Sequence, residues 1–277
     1  MTDTREVAAH YARDSLLAAI ERGIVAMGRN PAELTVDDLA PVDEFHIGGR
    51  EATDALIGQL APAADQHLLD VGCGLGGASR YVAARFGTRV SGLDLTVDYV
   101  ETGQALSRWL GLDDRVALHH GSALAMPFAD ASFDAAYMLH VGMNIADKAA
   151  LCAEVARVLR PGGRFAIYDV MRTGDDDLVY PVPWAMTAAT SAVAPVAEYR
   201  AVLAAAGFEL EAERDRRAFA LDFFQRVRAR AAKMDGPPPL GLHLVMGERA
   251  GERVANMAAN VEAGRIAPVE LIARRMG

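Results

Sequence analysis

The 277-residue chain is expected to fold as an α/β protein, a mostly parallel seven-stranded sheet with helices on both faces. Three observations carry this expectation. Short apolar runs alternate with helical periodicities of about 10–15 residues, the signature of βαβ units. The runs are apolar almost throughout, as strands buried on both faces must be. The first of them, in LDVGCGLGG at 69–77, stops in a turn bearing four glycines within six residues.

The elements follow in order. Residues 5–27 carry Val7, Tyr11, Leu16, Leu17, Ile20 and Ile24 at helical spacing, which predicts an amphipathic helix. RNPAELTVDDLAPVDEFHIGGR reads as an irregular connector, and residues 51–60 as a short helix. HLLDVG, RVSGLDL, VALHHG, FDAAYMLHV and RFAIYDV then read as five strands. GASRYVAARF, VDYVETGQALSRWLG and residues 147–159 supply helices between them. Past Asp169 a Pro-rich stretch precedes a helix at 196–206, which Gly207 closes as a C′ glycine. FELEAERD reads as the sixth strand, and residues 217–234 and 247–263 as helices inserted before a last strand, APVELIARR, that returns to the sheet. This gives one domain: helices over 1–62 forming a lid, a core over 63–171, and a substrate-side segment with cap helices over 172–277.

Composition narrows the class. Hydrophobic residues make 52% and charged residues 23%, an ordinary globular balance. A net charge of −9 supplies no general basic footprint for nucleic acid. No apolar stretch reaches the ~18 residues of a membrane helix, and the start carries charges where a signal peptide needs an apolar core, so cytoplasm is the expected compartment. Cys73 and Cys152 form neither a CxxC pair nor a zinc spacing. Of 28 basic residues only Lys148 and Lys233 are lysines, and neither lies in a GxxxxGK[ST] loop.

In an open α/β sheet, ligands bind beyond the C-terminal strand ends. A glycine turn there lets ligand atoms press on backbone, and the following helix start offers unpaired N–H donors. Asp94 ends the next strand, 94 − 74 = 20 residues past Gly74, where a carboxylate can accept both hydroxyls of a ribose. The spelling alone leaves two ligands open. Gly72, Gly74 and Gly77 match the dinucleotide pattern GxGxxG, and an NAD-dependent oxidoreductase would use it. Asp70, Gly72, Gly74 and Gly76 match DxGxGxG, which is similar to the S-adenosylmethionine methyltransferase motif.

RVLRPGGRFAIYD and MPFADASFDAAYMLHV then resemble the Rossmann-like methyltransferases, over about 100 residues from Asp70 to Asp169. The flanks DEFHIGGREAT and HVGMNIADK resemble sarcosine/dimethylglycine and phosphoethanolamine N-methyltransferases. The resemblance implies S-adenosylmethionine as cofactor and S-adenosylhomocysteine as product, with no metal, and a small-molecule acceptor as partner. Neither nucleic acid nor membrane is implied, and a homodimer is a compatible assembly. An amine nitrogen is the favoured acceptor, with an oxygen or carbon of a biosynthetic intermediate, or a non-catalytic cofactor-binding partner, as alternatives.

On this resemblance Gly72, Gly74 and Gly76 lie against the methionine part of the cofactor, Asp94 holds the ribose and Leu95 covers the adenine. Asp70 orients the methionine ammonium or only fixes the turn. Ser122 stands where the family often has Asp, so it or the Ala123 backbone is left to meet the adenine. Tyr11 on the first helix and His140 at the end of the fourth strand are the candidate catalytic and cofactor-contacting pair. An imidazole titrates near neutrality and can take a proton from an ammonium or a hydroxyl. A His140 bonded to cofactor or backbone is the alternative. Arg50 pairs with the cofactor carboxylate or lies on the surface. His46, Tyr180 and Trp184 are candidates for the substrate mouth, the aromatics offering a face to a cation. Phe219, Leu221, Phe223 and Phe224 roof the pocket or pack in the core. His119 and His120 face opposite sides of a strand and share no metal.

Overall fold

A computed structural model describes residues 15–234 and 236–277. Tyr11 therefore lies outside the described residues. Helix α1 (Leu16–Ala26) begins at the Ser15 cap, whose side chain accepts from the Ala18 N–H at 3.2 Å. The stretch expected as an irregular connector instead contains helix α2 (Val36–Asp43). Thr35 Oγ1 accepts from the Asp38 N–H and Asp38 Oδ2 accepts from the Thr35 N–H, so two orphan donors are satisfied together. That box holds a helix that runs through Pro41, whose ring leaves one rung of the ladder unmade. Helix α3 (Gly49–Leu60) follows.

The sheet then builds as the alternation requires. Strand β1 (His67–Val71), helix α4 (Gly77–Phe86), β2 (Arg89–Asp94), α5 (Val97–Trp109) and β3 (Val116–His120) form one half. Strands β4 (Phe133–Leu139) and β5 (Leu159–Arg172), with helix α6 (Lys148–Val158) between them, start the other. Helix α7 (Val196–Ala205) leads to β6 (Phe208–Asp215). Helices α8 (Arg217–Ala231), α9 (His243–Met246) and α10 (Ala250–Glu262) precede β7 (Ile266–Arg275). Strand order is β3-β2-β1-β4-β5-β7-β6; β7 runs antiparallel to both neighbours, from Arg164 opposite Arg274 to Arg172 opposite Ile266. The late helices are shorter than their periodicity suggests, and α9 is an extra turn within the segment between them. The last strand does return to the sheet, through a slot between β5 and β6.

Strand alternation divides the core. Leu69 and Val71 go to one face, against Leu151 and Val155 of α6 and Tyr199 of α7. Leu68 goes to the other, with Leu56 of α3, Val82 of α4 and Val100 of α5. Two smaller clusters shape the edge beyond the strand ends. Ile20, Ile24, Leu39 and Val42 of α1 and α2 pack on Leu75 of the glycine turn. Ala220 and Phe224 of α8 and Met257 and Val261 of α10 enclose Ile47, Val170 and Leu178. Full burial of each such side chain contributes about 1.5–3 kcal/mol. Among the described residues, no helix is long and apolar enough to cross a membrane.

Candidate active site

The glycine turn leaves β1 with Gly72, Gly74 and Gly76 all at left-handed φ, +72°, +54° and +78°. The Gly72 and Cys73 amides donate to the Leu93 carbonyl at 2.7 and 3.0 Å, which clips the turn to the end of β2. A Cβ on Gly72 would strike Val141 at 2.4 Å, whereas one on Gly74 would meet nothing within 4 Å. The turn thus turns bare backbone toward open space at Gly74. Beside it stands Asp94. Its Oδ2 accepts from the Gly74 N–H and its Oδ1 from the Thr96 N–H, both at 2.8 Å. The carboxylate is fixed by two backbone donors, and each oxygen keeps a lone pair for a further donor such as a ribose hydroxyl. Next to it Leu95 is 71% exposed. The Gly121 amide donates to the Asp94 carbonyl, which brings Ser122 and Ala123 to the same edge. Ser122 Oγ there accepts from the Leu124 N–H at 3.2 Å. These residues fit a ribonucleoside cofactor: a bare backbone cradle, an oriented carboxylate and an uncovered apolar side chain.

Asp70 has a different place from Asp94. It is buried, and its Oδ2 accepts from Ser79 Oγ at 2.6 Å in the first turn of α4. Burial pushes its carboxyl up to about 7, with the Ser79 hydroxyl opposing. The contact ties β1 to α4 beneath the glycine turn. Arg80, one residue on, is wholly buried and grips Asp43 of α2 with two bonds, 2.7 and 2.8 Å. Its other terminal nitrogen donates to the Leu75 carbonyl of the turn at 2.7 Å and to Gly103 of α5 at 3.1 Å. Gly77 permits this approach: a Cβ there would lie 2.3 Å from that of Asp43. Nothing in the motif spelling marked Asp43 or Arg80.

His140 follows β4 with φ +55°, an uncommon conformation for a residue with a Cβ. Its Nδ1 faces the Tyr168 carbonyl at 3.2 Å, and its Nε2 lies 3.4 Å from the Ile47 N–H. The carbonyl can only accept and the amide can only donate, so Nδ1 carries the proton and Nε2 accepts. Burial holds the imidazole down to about 3. Both nitrogens are thus committed to backbone, the alternative that sequence reasoning left beside catalysis.

His46 lies 5.9 Å from it, ring to ring, in a buried polar cluster that sequence reasoning did not assemble. Its Nε2 is 3.0 Å from the Gly49 carbonyl, 3.0 Å from Thr53 Oγ1 and 3.5 Å from Glu44 Oε2. Glu44 is buried, accepting from Thr53 Oγ1 at 2.7 Å and from Arg50 Nε at 2.5 Å. Arg50 also reaches Asp37 and stacks over the Tyr81 ring at 4.0 Å. Its guanidinium is therefore engaged within the protein. Tyr168 donates its hydroxyl to the Ile47 carbonyl at 3.0 Å. Ile47 joins two regions: its backbone binds His140 and Tyr168, and its side chain belongs to the apolar cluster of the cap. Tyr180, Trp184, Leu221 and Phe223 pack against that cluster, Phe224 lies within it, and the Trp184 indole donates to Ser191 Oγ at 3.0 Å. Phe219 packs elsewhere, against the α3–α4 face of the core. Among the described residues, no group of three His, Cys, Asp or Glu is arranged to hold a metal.

Comparison with known proteins gives this geometry its class. Residues 69–167 match the family described as methyltransferase domain. The methyltransferase GfsG of Streptomyces halstedii is 32% identical over 211 residues, covering 75% of this chain and 74% of that one. The 27-O-demethylrifamycin SV methyltransferase of Amycolatopsis mediterranei is 33% identical over 173 residues, covering 59% of this chain and 61% of that one. A putative sarcosine dimethylglycine methyltransferase from Galdieria sulphuraria shares the fold, with a TM-score of 0.66 over 81% of this chain and 85% of that one at 20% identity. The chain belongs to the S-adenosylmethionine-dependent methyltransferases of Rossmann-like fold and is an enzyme of small-molecule methylation. The dinucleotide alternative is thereby set aside. The relatives bear names of O- and C-methyltransferases, and a structural neighbour that of an N-methyltransferase, so the comparisons leave the acceptor atom open.

Proposed function

We propose that this enzyme transfers the methyl group of S-adenosylmethionine to an oxygen of a sizeable, mainly apolar small molecule. One observation carries the reading. Ile47, Trp184, Leu221, Phe223 and Phe224 pack in one apolar cluster, and Ile47 joins it to two neighbouring histidines whose basicity burial lowers. An acceptor seated against this cluster would meet apolar side chains, and burying an ammonium there without a partner would cost several kcal/mol. The rifamycin relative, whose name specifies an oxygen, supports the same reading. The sarcosine-type likeness is one of fold at 20% identity and does not carry the amine that the flanking motifs favour.

In this reading Gly72, Gly74 and Gly76 lie along the methionine part of the cofactor, Asp94 takes the ribose hydroxyls, and Leu95, Ser122 and Ala123 border the adenine. The bound cofactor supplies an activated methyl group; the chain holds the acceptor oxygen in line with it and excludes water. Helices α1–α3 and the α8–α10 segment close over the two ligands, with Tyr180 and Trp184 beside the acceptor. The Tyr11–His140 latch suggested by the phosphoethanolamine-type resemblance would require His140 to give up one of its two backbone bonds.

The test is a panel of hydroxylated macrolactones and polyketide phenols set against sarcosine and dimethylglycine. S-adenosylhomocysteine release gives the rate, and mass spectrometry with NMR assigns the methylated atom. At least one hydroxyl acceptor is expected to exceed both amines in kcat/KM by about tenfold or more, ~1.4 kcal/mol of transition-state binding. Methylation of the amines alone would overturn the oxygen assignment.

A further inference from the structure

We infer that His46 is the general base of the reaction, taking the acceptor's proton at Nδ1, and that Glu44 is its positioning residue, holding the ring and balancing the charge it acquires. The inference rests on the oxygen reading above, because an alcohol or phenol must lose a proton as it is methylated.

The hydrogen-bond inventory fixes the tautomer. Glu44 is a buried acceptor that takes the one proton of the Thr53 hydroxyl at 2.7 Å. Thr53 Oγ1 can then only accept from His46 Nε2, 3.0 Å away. The Gly49 carbonyl, also 3.0 Å from Nε2, accepts as well. Nε2 must carry the hydrogen. A neutral imidazole has one N–H, so Nδ1 holds a bare lone pair, and no group among the described residues donates to it. His140 is the reverse case, with a backbone partner at each nitrogen. Of the two rings, only His46 has a nitrogen able to accept a proton without breaking a bond already made.

Glu44 makes the protonated form tolerable. Its Oε2 lies 3.5 Å from Nε2, and Arg50 at 2.5 Å and Thr53 at 2.7 Å lock its orientation. A carboxylate behind the ring nitrogen that does not react, opposite the one that does, orients the base and stabilises the imidazolium. The groups facing His46 are then Glu44 and Arg50, with His140 and Tyr168 across the ring. Burial depresses its basicity more than Glu44 raises it, so the imidazole is neutral at pH 7. In the step, an acceptor oxygen lone pair forms the new O–C bond to the methyl carbon. The C–S bond breaks with its electron pair on sulfur, and the O–H proton passes to His46 Nδ1 and later to water. The next residue, Ile47, donates to His140 just past the end of β4 and accepts from Tyr168 of β5, which sets the His46 loop beside that strand end.

Two readouts test this. The first needs no acceptor: long-range 15N–1H spectra of labelled protein with S-adenosylhomocysteine bound. His46 is expected to show a neutral ring with Nε2–H and bare Nδ1, and an Nδ1–H tautomer would overturn the assignment. The second compares variants on the fastest hydroxylated macrolactone of the panel. His46→Gln, whose amide can still donate to Gly49, is expected to lose about 10²–10⁴ in kcat. S-adenosylhomocysteine affinity should stay within about threefold by calorimetry. Glu44→Gln is expected to move the acid limb of kcat/KM to lower pH, because the base loses the charge that raises it; a merely structural Glu44 would leave the limb in place. Full kcat in His46→Gln would overturn the base. If no hydroxyl acceptor turns over while sarcosine does, the oxygen reading fails, and with it the deprotonation that calls for a base; an Nδ1–H tautomer with oxygen methylation intact fails the base alone.

Discussion

Removing the Arg80 guanidinium should damage stability and cofactor affinity together, because one buried group ties the lid-side helix α2 to the glycine turn. Arg80 and Asp43 are wholly buried and paired by two bonds of 2.7 and 2.8 Å, and Arg80 also holds Leu75 and Gly103. In Arg80→Met the Asp43 carboxylate is left buried without a counter-charge, and two carbonyls lose their donor. Breaking a buried pair from one side costs about 3–5 kcal/mol. For a chain of this size that corresponds to a melting temperature lowered by about 6–20 °C. The penalty should shrink on acidification. Burial already pushes the Asp43 carboxyl upward against the pull of Arg80. Without Arg80 it rises further, so the folded variant gains a proton that the unfolded chain lacks as pH falls, and folding is favoured. The assay is urea unfolding at pH 7.5 and pH 5.5 for Arg80→Met, Asp43→Leu and the double variant, with S-adenosylhomocysteine titrated into each. The double variant should recover at least about 1.5 kcal/mol relative to the sum of the singles. Additive losses, or a single-variant loss below about 1 kcal/mol, would refute the strut.

Three further outcomes follow from the same geometry. Asp94→Ala removes the acceptor of the Gly74 and Thr96 amides and is expected to weaken S-adenosylhomocysteine binding about tenfold to a hundredfold by calorimetry; an unchanged Kd would take Asp94 out of the site. Asp70, raised to about 7 from an ordinary 3.8, holds a proton in the folded state that the unfolded state has lost between those values, so stability should fall as pH rises across that window, by up to about 1.4 kcal/mol per pH unit. Asp70→Asn should flatten the slope without abolishing it, since Asp169 is also raised to about 7; an unaltered slope in urea titrations at pH 5 and pH 7 would contradict this. At His140, φ +55° suits asparagine and strains a β-branched residue, so His140→Val should melt well below His140→Asn, and equal melting temperatures would show that the backbone there is not confined.

The parts of the fold legible in the sequence are those where a local pattern and its physical cause coincide. β1 and β4 read as strands because both their faces are covered, and the turn at 72–76 reads as a ligand edge because three of its residues need left-handed φ. Helix α2 was missed for a local reason: Pro41 and the charges of TVDDLAPVDE hide its periodicity, although Thr35 and Asp38 spell the capping box that starts it. Within the candidate site the legible parts were the glycine turn and Asp94, which stands at a fixed spacing from Gly74. Nothing in spacing separates Asp70 from Asp94, yet one is buried on Ser79 and the other faces the open edge.

The histidines show the deeper limit. Sequence position ranks His140 first, since it ends a strand at the rim, and ranks His46 as a residue of the mouth. What decides proton chemistry is which ring nitrogen is already occupied. For His140 that depends on the Ile47 amide across 93 residues and the Tyr168 carbonyl across 28. No periodicity encodes contacts of that range. Yet they turn the expected base into a ring held at both nitrogens, whereas the bare lone pair of its neighbour follows from Glu44, Gly49 and Thr53 close by in the chain. The rim residue with the more prominent address is thus the worse proton acceptor, because the backbone bonds that fix its place occupy the atoms a base must keep open.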